Sequence, residues 1–564
     1  MQQLIECVPN FSEGNDMNII SQITAEIESV EGVLLLNVDP GKATNRTVVT
    51  FVGPPTAAIE AAFLAIKKAS ELIDMSKHKG EHPRMGATDV CPLIPIAGIT
   101  MEETAEYSRK LARRVGEQLN IPVYLYESAA IIEGRNNLSE IRAGEYEGFF
   151  KKIHQPQWKP DFGPVEMHVK AGATVIGARD FLIAYNVNLN TTSVRRANSI
   201  AFDVRERGRV KRDGDPISGK IVKDENGNQV YTPGSLKSVK AIGWFIEEYG
   251  VAQISMNLTN INVTPVHIAF DEVCKRAESR GIRVTGSELV GLLPLQCLLD
   301  AGKYFLEKQQ RSTGVSEAEL IKIAVKSMGL DELGPFEPEK RVIEYLLKDT
   351  LAEKLVNMSL KAFADETASE SPAPGGGSIS AYVGALGIAL AGMVANLSSH
   401  KRGWDGRWKE FSDVAERAES YKKRLIFLVD EDTRAFNRIM DAFGLPKGND
   451  EEKMARKNAI SEATRLAIET PLEVMKLSLE SMQVISDMAE KGNPNSVSDA
   501  GVGALCARTA VLGAGLNVKI NCAGYEDSYF VNKSLSAADT MIADANRIEK
   551  EIMAIVESKI TATA

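Results

Sequence analysis

The spacing that marks many metal and dithiol sites is missing from this chain. No CxxC pair occurs, and the six cysteines are scattered at Cys7, Cys91, Cys274, Cys297, Cys506 and Cys522. Reduced, mostly buried thiols are the expectation. Positive charge is short too. Lys and Arg total 66 against 76 Asp and Glu, a formal net charge of −10. That balance argues against general nucleic-acid binding, which needs an extended basic face. The N-terminus "MQQLIECVPNFSEG" lacks the basic and long apolar regions of a signal peptide, and Glu6 and a proline interrupt its first apolar run. A cytoplasmic protein is expected.

What is present is length and apolar content: 564 residues, 44% of them hydrophobic. Single cores rarely grow past roughly 300 residues, so two or three domains are expected. One stretch, "SISAYVGALGIALAGMVANL" (378–397), carries no charge over membrane-spanning length. It is rich in Ala and Gly and follows a GGG turn, so a buried bundle helix is expected rather than a membrane span.

The first three hundred residues alternate strand and helix signals. "LIECV", "GVLLLNV", "RTVVTFVG", "DVCPLIPI" and "PVYLY" read as strands, and "TAAIEAAFLAIKKASELI" and "MEETAEYSRKLARRVGEQL" as amphipathic helices. A second cycle in the same order begins near residue 181. The expected architecture is α/β, with two similar βαββαβ-type lobes at 1–180 and 181–329, a linker at 330–340, and an all-α helical bundle at 341–564. Two such lobes imply a cleft between them. In the second lobe, "KIVKDENGNQVYTPGS" reads as a hairpin, and the 209–233 region around it as a surface projection.

"HKGEHPRMGATDV" (78–90) places His78 and His82 four residues apart. On a helix that spacing would put both on one face, as in zinc motifs. Gly80 and Pro83 interrupt any such helix, so no metal is expected. What remains is a loop histidine beside an arginine and a carboxylate, either a catalytic base or a solvated turn.

Seven strings occur in order along the chain: "ECVPNFSEG", "HKGEHPRMGATDVCP", "RAGEYEG", "DFGP", "SPAPGGGS", "LVDEDTRAF" and "LPK". Together they resemble the formiminotransferase-cyclodeaminase family across both halves. The resemblance implies two reactions. A formimino group passes from N-formimino-L-glutamate to N5 of tetrahydrofolate, releasing L-glutamate. Attack by N10 then closes the ring and expels ammonia, giving 5,10-methenyltetrahydrofolate, as in histidine degradation. It also implies a homo-oligomer, since family members form rings and pass polyglutamylated intermediate between sites. Tetrahydrofolate is a co-substrate, N-formimino-L-glutamate the other small-molecule partner.

The resemblance places the transferase histidine on His82. Amidine transfer needs one proton removed from the attacking nitrogen and one delivered to the departing one, which a group titrating near neutrality does. Asp39, at the end of a predicted strand, is ranked ahead of Asp89 as the carboxylate that orients the imidazole; the alternative is a turn cap. Arg84 either grips a substrate carboxylate or makes a structural ion pair. His78 is expected to be a turn residue or to support the catalytic group from behind. Folate-contacting stretches carry over to Gly163, Pro164, Val165, Glu166, Met167, His168, Val169, Lys170, Ala171 and Gly172, and to Gly234, Ser235 and Leu236. The run "RERGRVKR" (205–212) is a solvated face or meets a polyglutamate tail.

In the helical half, Asp430 and Asp432 point roughly 200° apart on a helix, so only one faces a pocket. The resemblance selects Asp432 as the proton shuttle, and Asp430 is expected to be exposed. Gly375, Gly376, Gly377 and Ser378 form either a polar-ligand cradle at a helix N-terminus or a tight turn. Two rivals stand beside the bifunctional enzyme: a chain with only one active half, and a non-catalytic folate-binding scaffold.

Overall fold

The computed structural model describes residues 3–42, 44–80, 83–132, 134–214, 219–346 and 355–563. His82 therefore lies outside the described residues. The chain divides into two compact units, Met1–Cys297 with Met328–Leu347, and Leu298–Ser327 with Lys348–Ala564. Residues 330–340, the expected linker, fall in the first unit, and the helical segment before them in the second.

In the first unit the repeated cycle is visible as strand order. The antiparallel core of the first sheet runs Leu34–Gly41, Arg46–Gly53, Leu4–Cys7, Thr88–Ala97. The second sheet runs Val239–Ile246, Val251–Leu258, Ile183–Leu189, Val284–Val290. In both, the order across the sheet is second, third, first, fourth strand of the lobe, so both are βαββαβ units. The first sheet is extended by two parallel strands, Thr174–Ala178 and then Val123–Glu127.

Helices Met17–Glu28, Pro55–Leu72 and Met101–Leu119 cover one face of the first sheet. The last begins at a capping box, in which Thr100 accepts from the Glu103 amide and Glu103 accepts from the Thr100 amide. Strand alternation sorts the two faces. Ile5 and Cys7 lie in the helix-covered core with Phe51 and Ile66. Glu6 lies on the other face, opposite Val52 and Ile94. By the same pairing that face carries Asp39 opposite Val48, Asn37 opposite Thr50, and Arg46. Glu6 is only 2% exposed. Burial pushes its carboxyl up to about 7, against the opposing pull of the Arg179 charge.

The expected hairpin forms in the second lobe. Asp224 accepts from the amides of Asn226 and Asn228, and the Asp224 amide donates to Asn228 O at 2.8 Å.

The second unit is helical: Gly376–Ser399, Trp408–Gly444, Asp450–Lys491, Val497–Cys522 and Ser528–Thr563. The short helix Leu360–Thr367 precedes these five, and 347–354 lie outside the described residues. The Ala/Gly segment forms its expected helix, and its glycines permit close approach. A Cβ on Gly387 would stand 2.8 Å from Gly503 O, and one on Gly503 would stand 2.8 Å from Gly387 O. Burial covers only one side. Ala381, Ala385, Ile388 and Ala391 are buried, whereas Leu386, Met393 and Leu397 are exposed. This helix and Pro494–Cys522 are long and apolar enough to cross a membrane by length and composition. The 298–327 segment belongs to the same unit. Thr313 N donates to Ser412 Oγ at 3.0 Å, and Asn396 Nδ2 donates to Gly314 O at 2.9 Å.

Candidate active sites

In the first unit, four sequence stretches far apart in the chain are knitted together around residues 78–90. Asn45 sits at their junction in a left-handed turn, φ 47°. Its side chain accepts from the Gly14 amide at 3.0 Å and donates to Lys79 O at 2.9 Å. The loop 163–172 joins from the other side. Ala87 N donates to Ala171 O at 2.8 Å, and Ala173 N to Met85 O at 3.0 Å. Gly86 and Gly172 pair directly, and Gly172 takes φ 71°, where a Cβ would overlap Met85 O. His168 Nδ1 accepts from the Ala171 amide at 2.9 Å and so closes the loop on itself. Of the expected folate stretches, this one is brought to the histidine loop. Gly234, Ser235 and Leu236 lie in the second lobe, where Ser235 N and Leu236 N bond Asp203 O and Val204 O. Gly234 and Ser235 border a small cavity of about 210 Å³ with Asp203, Arg209 and Arg276.

Both ring nitrogens of His78 are engaged. Nε2 pairs with Asn45 O at 2.9 Å, which makes Nε2 the donor, and Nδ1 accepts from Arg84 Nε at 3.3 Å. His78 is thus a structural residue of the turn. Arg84 is held in ion pairs. Its terminal nitrogens bind Glu147 at 2.8 and 2.9 Å and Glu145 at 3.1 Å, and one also donates to His78 O at 3.2 Å. The cause is local. Helix Glu145–Lys152 begins with two acids, and Arg84 lies directly in front of them, with Tyr146 N bonded to Arg84 O.

Asp39 is half-buried within its strand on the face away from the helices, across Val48 from Asn10. Asp89, the other orienting candidate, is fully buried between Arg46 and Arg142 and also accepts from Met85 N at 3.1 Å. Those bonds anchor the 83–89 loop. The run 205–212 is neither bare nor free. Arg205 bonds Gly208 O, Arg207 the Tyr231 hydroxyl, Arg209 pairs with Asp203, and Arg212 bonds Gly219 O.

In the second unit, Asp432 and the glycine turn meet. Asp432 Oδ2 accepts from Ser378 N at 2.9 Å and from Ser378 Oγ at 3.1 Å. A Cβ on Gly377 would overlap the Asp432 carboxylate, so glycine there is a requirement of the approach. The anion at this helix N-terminus is Asp432 itself. Burial raises its carboxyl above the usual range, while the two Ser378 bonds pull it back down. The Asn517 amide lies on the neighbouring side of the same turn, 3.4 Å from where a Gly376 Cβ would stand. Asp430 does not match its expected exposure. It is 9% exposed, because its helix packs against both Gly376–Ser399 and Asp450–Lys491 and has two covered faces.

Among the described residues no three His, Cys, Asp or Glu side chains converge as a metal site would require. Sequence reading missed the Arg46–Asp89–Arg142 cluster and buried Glu6. The second left a signal, an acid in the middle of the apolar run "LIECV".

Comparison with known proteins covers nearly the whole chain. Residues 4–179 match the formiminotransferase domain, N-terminal subdomain; 184–348 match the formiminotransferase domain; and 359–540 match formiminotransferase-cyclodeaminase. Formimidoyltransferase-cyclodeaminase of Mus musculus is 41% identical over 99% of this chain and 100% of its own length. Glutamate formimidoyltransferase of Thermoplasma acidophilum is 44% identical over 54% of this chain and 92% of its own. Methenyltetrahydrofolate cyclohydrolase of Methylorubrum extorquens is 37% identical over 36% of this chain and 98% of its own. With both halves matched, in order and at full length, the chain belongs to the formiminotransferase-cyclodeaminase family.

Proposed function

We infer that the chain is a bifunctional folate enzyme. Its first unit transfers the formimino group of N-formimino-L-glutamate to N5 of tetrahydrofolate, and its helical unit converts 5-formiminotetrahydrofolate to 5,10-methenyltetrahydrofolate and ammonia. Full-length similarity to formimidoyltransferase-cyclodeaminase supports both activities.

In the first reaction N5 attacks the amidine carbon. His82 takes the N5 proton and returns it to the glutamate nitrogen as the carbon–nitrogen bond to glutamate breaks. His78 cannot share this role, because both its nitrogens hold the fold. Asp39, on the sheet face away from the helices, is assigned to orient the imidazole. In the second reaction N10 attacks the same carbon. Asp432 accepts the N10 proton and delivers it to the nitrogen that leaves as ammonia.

The observation that carries the second assignment is the seating of the Asp432 carboxylate over Gly377 and Ser378. Gly377→Ala tests it. The added methyl displaces the carboxylate, and ammonia release falls at least tenfold while transfer continues unchanged. Unchanged ammonia release, measured with supplied 5-formiminotetrahydrofolate, would refute the assignment.

The helical unit also associates with a second copy of the chain. Leu516 and Ile520, one helical turn apart, are 70% and 71% exposed on the helix Val497–Cys522, and Val502 and Leu505 lie exposed on the same helix. Apolar surface of this extent marks an interface. Leu516→Glu with Ile520→Glu is expected to reduce the assembly in sedimentation velocity; an unaltered sedimentation coefficient would contradict the proposal.

A further inference from the structure

The helix Gly376–Ser399 stops short of two neighbours at its first turn. It runs antiparallel to Trp408–Gly444, with Gly392 against Ala418 and Gly377 against Asp432. It runs antiparallel to Val497–Cys522 as well, with Gly387 against Gly503 and Gly376 against Asn517. Residues 433–444 of the first neighbour and 518–522 of the second therefore continue past its start. Asp432 stands at this step. Leu425 lies by Gly384, and Ser378 Oγ donates to Val429 O at 2.9 Å and to Asp432. Leu425, Val429 and Asp432 thus mark the face of Trp408–Gly444 that the shorter helix covers.

Spacings of three and four keep side chains on one helical face. Phe436, Met440 and Phe443 follow Asp432 at those spacings and prolong the covered face beyond the helix that covers it. They are 40%, 55% and 51% exposed, whereas Ala435 and Ala442, turned elsewhere, are buried. The Phe443 ring has the Arg456 guanidinium over it at 5.6 Å. Phe436 has no ring or cation contact among the described residues, and it stands one turn, about 6 Å, along the helix from Asp432. A continuous stripe of exposed apolar side chains marks a binding surface. Across the step, Asn517 Nδ2 donates to Gly513 O at 3.0 Å, which leaves Oδ1 as an acceptor beside Gly376. The step is thus apolar on one wall and polar on the other, which suits a flat ring with polar edges.

In ring closure Asp432 takes the proton of N10, and N10 carries the p-aminobenzoyl ring of the folate. That ring is bonded to the nitrogen that meets the carboxylate, so it lies beside Asp432 whenever N10 does. Phe436 is the flat apolar side chain next along the face. We propose that Phe436, with Met440 beyond it, stacks on the p-aminobenzoyl ring of 5-formiminotetrahydrofolate and so holds N10 at Asp432. This rests on the reading of Asp432 as the proton-transfer group of ring closure. Phe436 touches substrate away from the breaking bond and acts on affinity more than on turnover.

The test supplies 5-formiminotetrahydrofolate and reads ammonia release by steady-state kinetics in wild type, Phe436→Ala, Phe436→Leu and Phe436→Tyr. Phe436→Ala raises the KM by about 10- to 100-fold, the range for losing an aromatic side chain from a stacked ring. Phe436→Tyr keeps the flat ring and restores most of the affinity, whereas Phe436→Leu keeps only apolar bulk and does not. Formimino transfer, a step of the first unit, continues at the wild-type rate in all three. An unchanged KM in Phe436→Ala overturns the proposal, as does rescue by Phe436→Leu equal to that by Phe436→Tyr. A sedimentation coefficient that falls in Phe436→Ala overturns it too, and assigns the stripe to an interface between copies. If Phe436→Ala does not fold, the comparison of Phe436→Leu with Phe436→Tyr decides in the same way. Should Asp432→Ala retain ammonia release, the site reading itself has failed; if Asp432→Ala is inactive and Phe436→Ala binds substrate normally, only the stacking assignment has.

Discussion

Asp432→Ala stops ammonia release and lets 5-formiminotetrahydrofolate accumulate while formimino transfer proceeds. Removing a positioned proton-transfer group costs about 10²- to 10⁴-fold in rate. The loss falls on the second reaction alone because Asp432 belongs to the helical unit and its partners, Ser378 and the Gly377 turn, belong there too. Ammonia and methenyl product, followed separately, read the effect. If Asp430→Ala rather than Asp432→Ala ends ammonia release, the wrong acid of the pair has been assigned.

A stability measurement accompanies it. Burial raises the Asp432 carboxyl above its usual value. The folded protein then holds that proton to higher pH than the unfolded chain. This contribution to stability is full below the unfolded value and is lost as pH rises through the folded one. Asp432→Asn removes that loss, so its Tm exceeds wild type at pH 8 and the gain shrinks toward pH 4. A Tm difference that grows as pH falls would contradict the burial argument. The active acid is thereby held at some expense of stability, as functional groups often are.

His82→Ala abolishes transfer, again by about 10²- to 10⁴-fold, and leaves ammonia release from supplied 5-formiminotetrahydrofolate intact. The scaffold around residues 78–90 explains why the loss is confined to one step. His78, Arg84 and Asp89 hold the loop through Asn45, Glu147, Arg46 and Arg142, all of them in the first unit, so the chemistry of the helical unit is left alone. His78→Ala, in contrast, loosens the turn and lowers Tm as well as transfer. If His82→Ala transfers at the wild-type rate, the proton moves through another group.

Much of the architecture was legible because the signals are local. Alternation in "LIECV" and "RTVVTFVG", helical period in "TAAIEAAFLAIKKASELI", and Asn or Gly at turns state the elements directly. The strand order that makes the lobes alike is a matter of pairing across dozens of residues and is not written in any window. Site chemistry divided the same way. The glycines of "SPAPGGGS" and the second aspartate of "LVDEDTRAF" were each noticed, but only packing shows that the glycines make room for that carboxylate. Arg84's ion pairs could not be read from any window because its partners, Glu145 and Glu147, lie some sixty residues on. Asp430 was expected outside because helical period reports one apolar face, whereas its helix is covered on two sides.

The account's central claim is that two proton-transfer groups in two units perform consecutive steps. Mixing His82→Ala protein with Asp432→Ala protein, in the presence of N-formimino-L-glutamate and tetrahydrofolate, tests it most directly. Neither variant alone makes methenyl product. The mixture is predicted to make it, with ammonia in equal amount, as one protein supplies the intermediate and the other closes the ring. A mixture as inactive as its components, when each retains its own half-reaction, would contradict the claim.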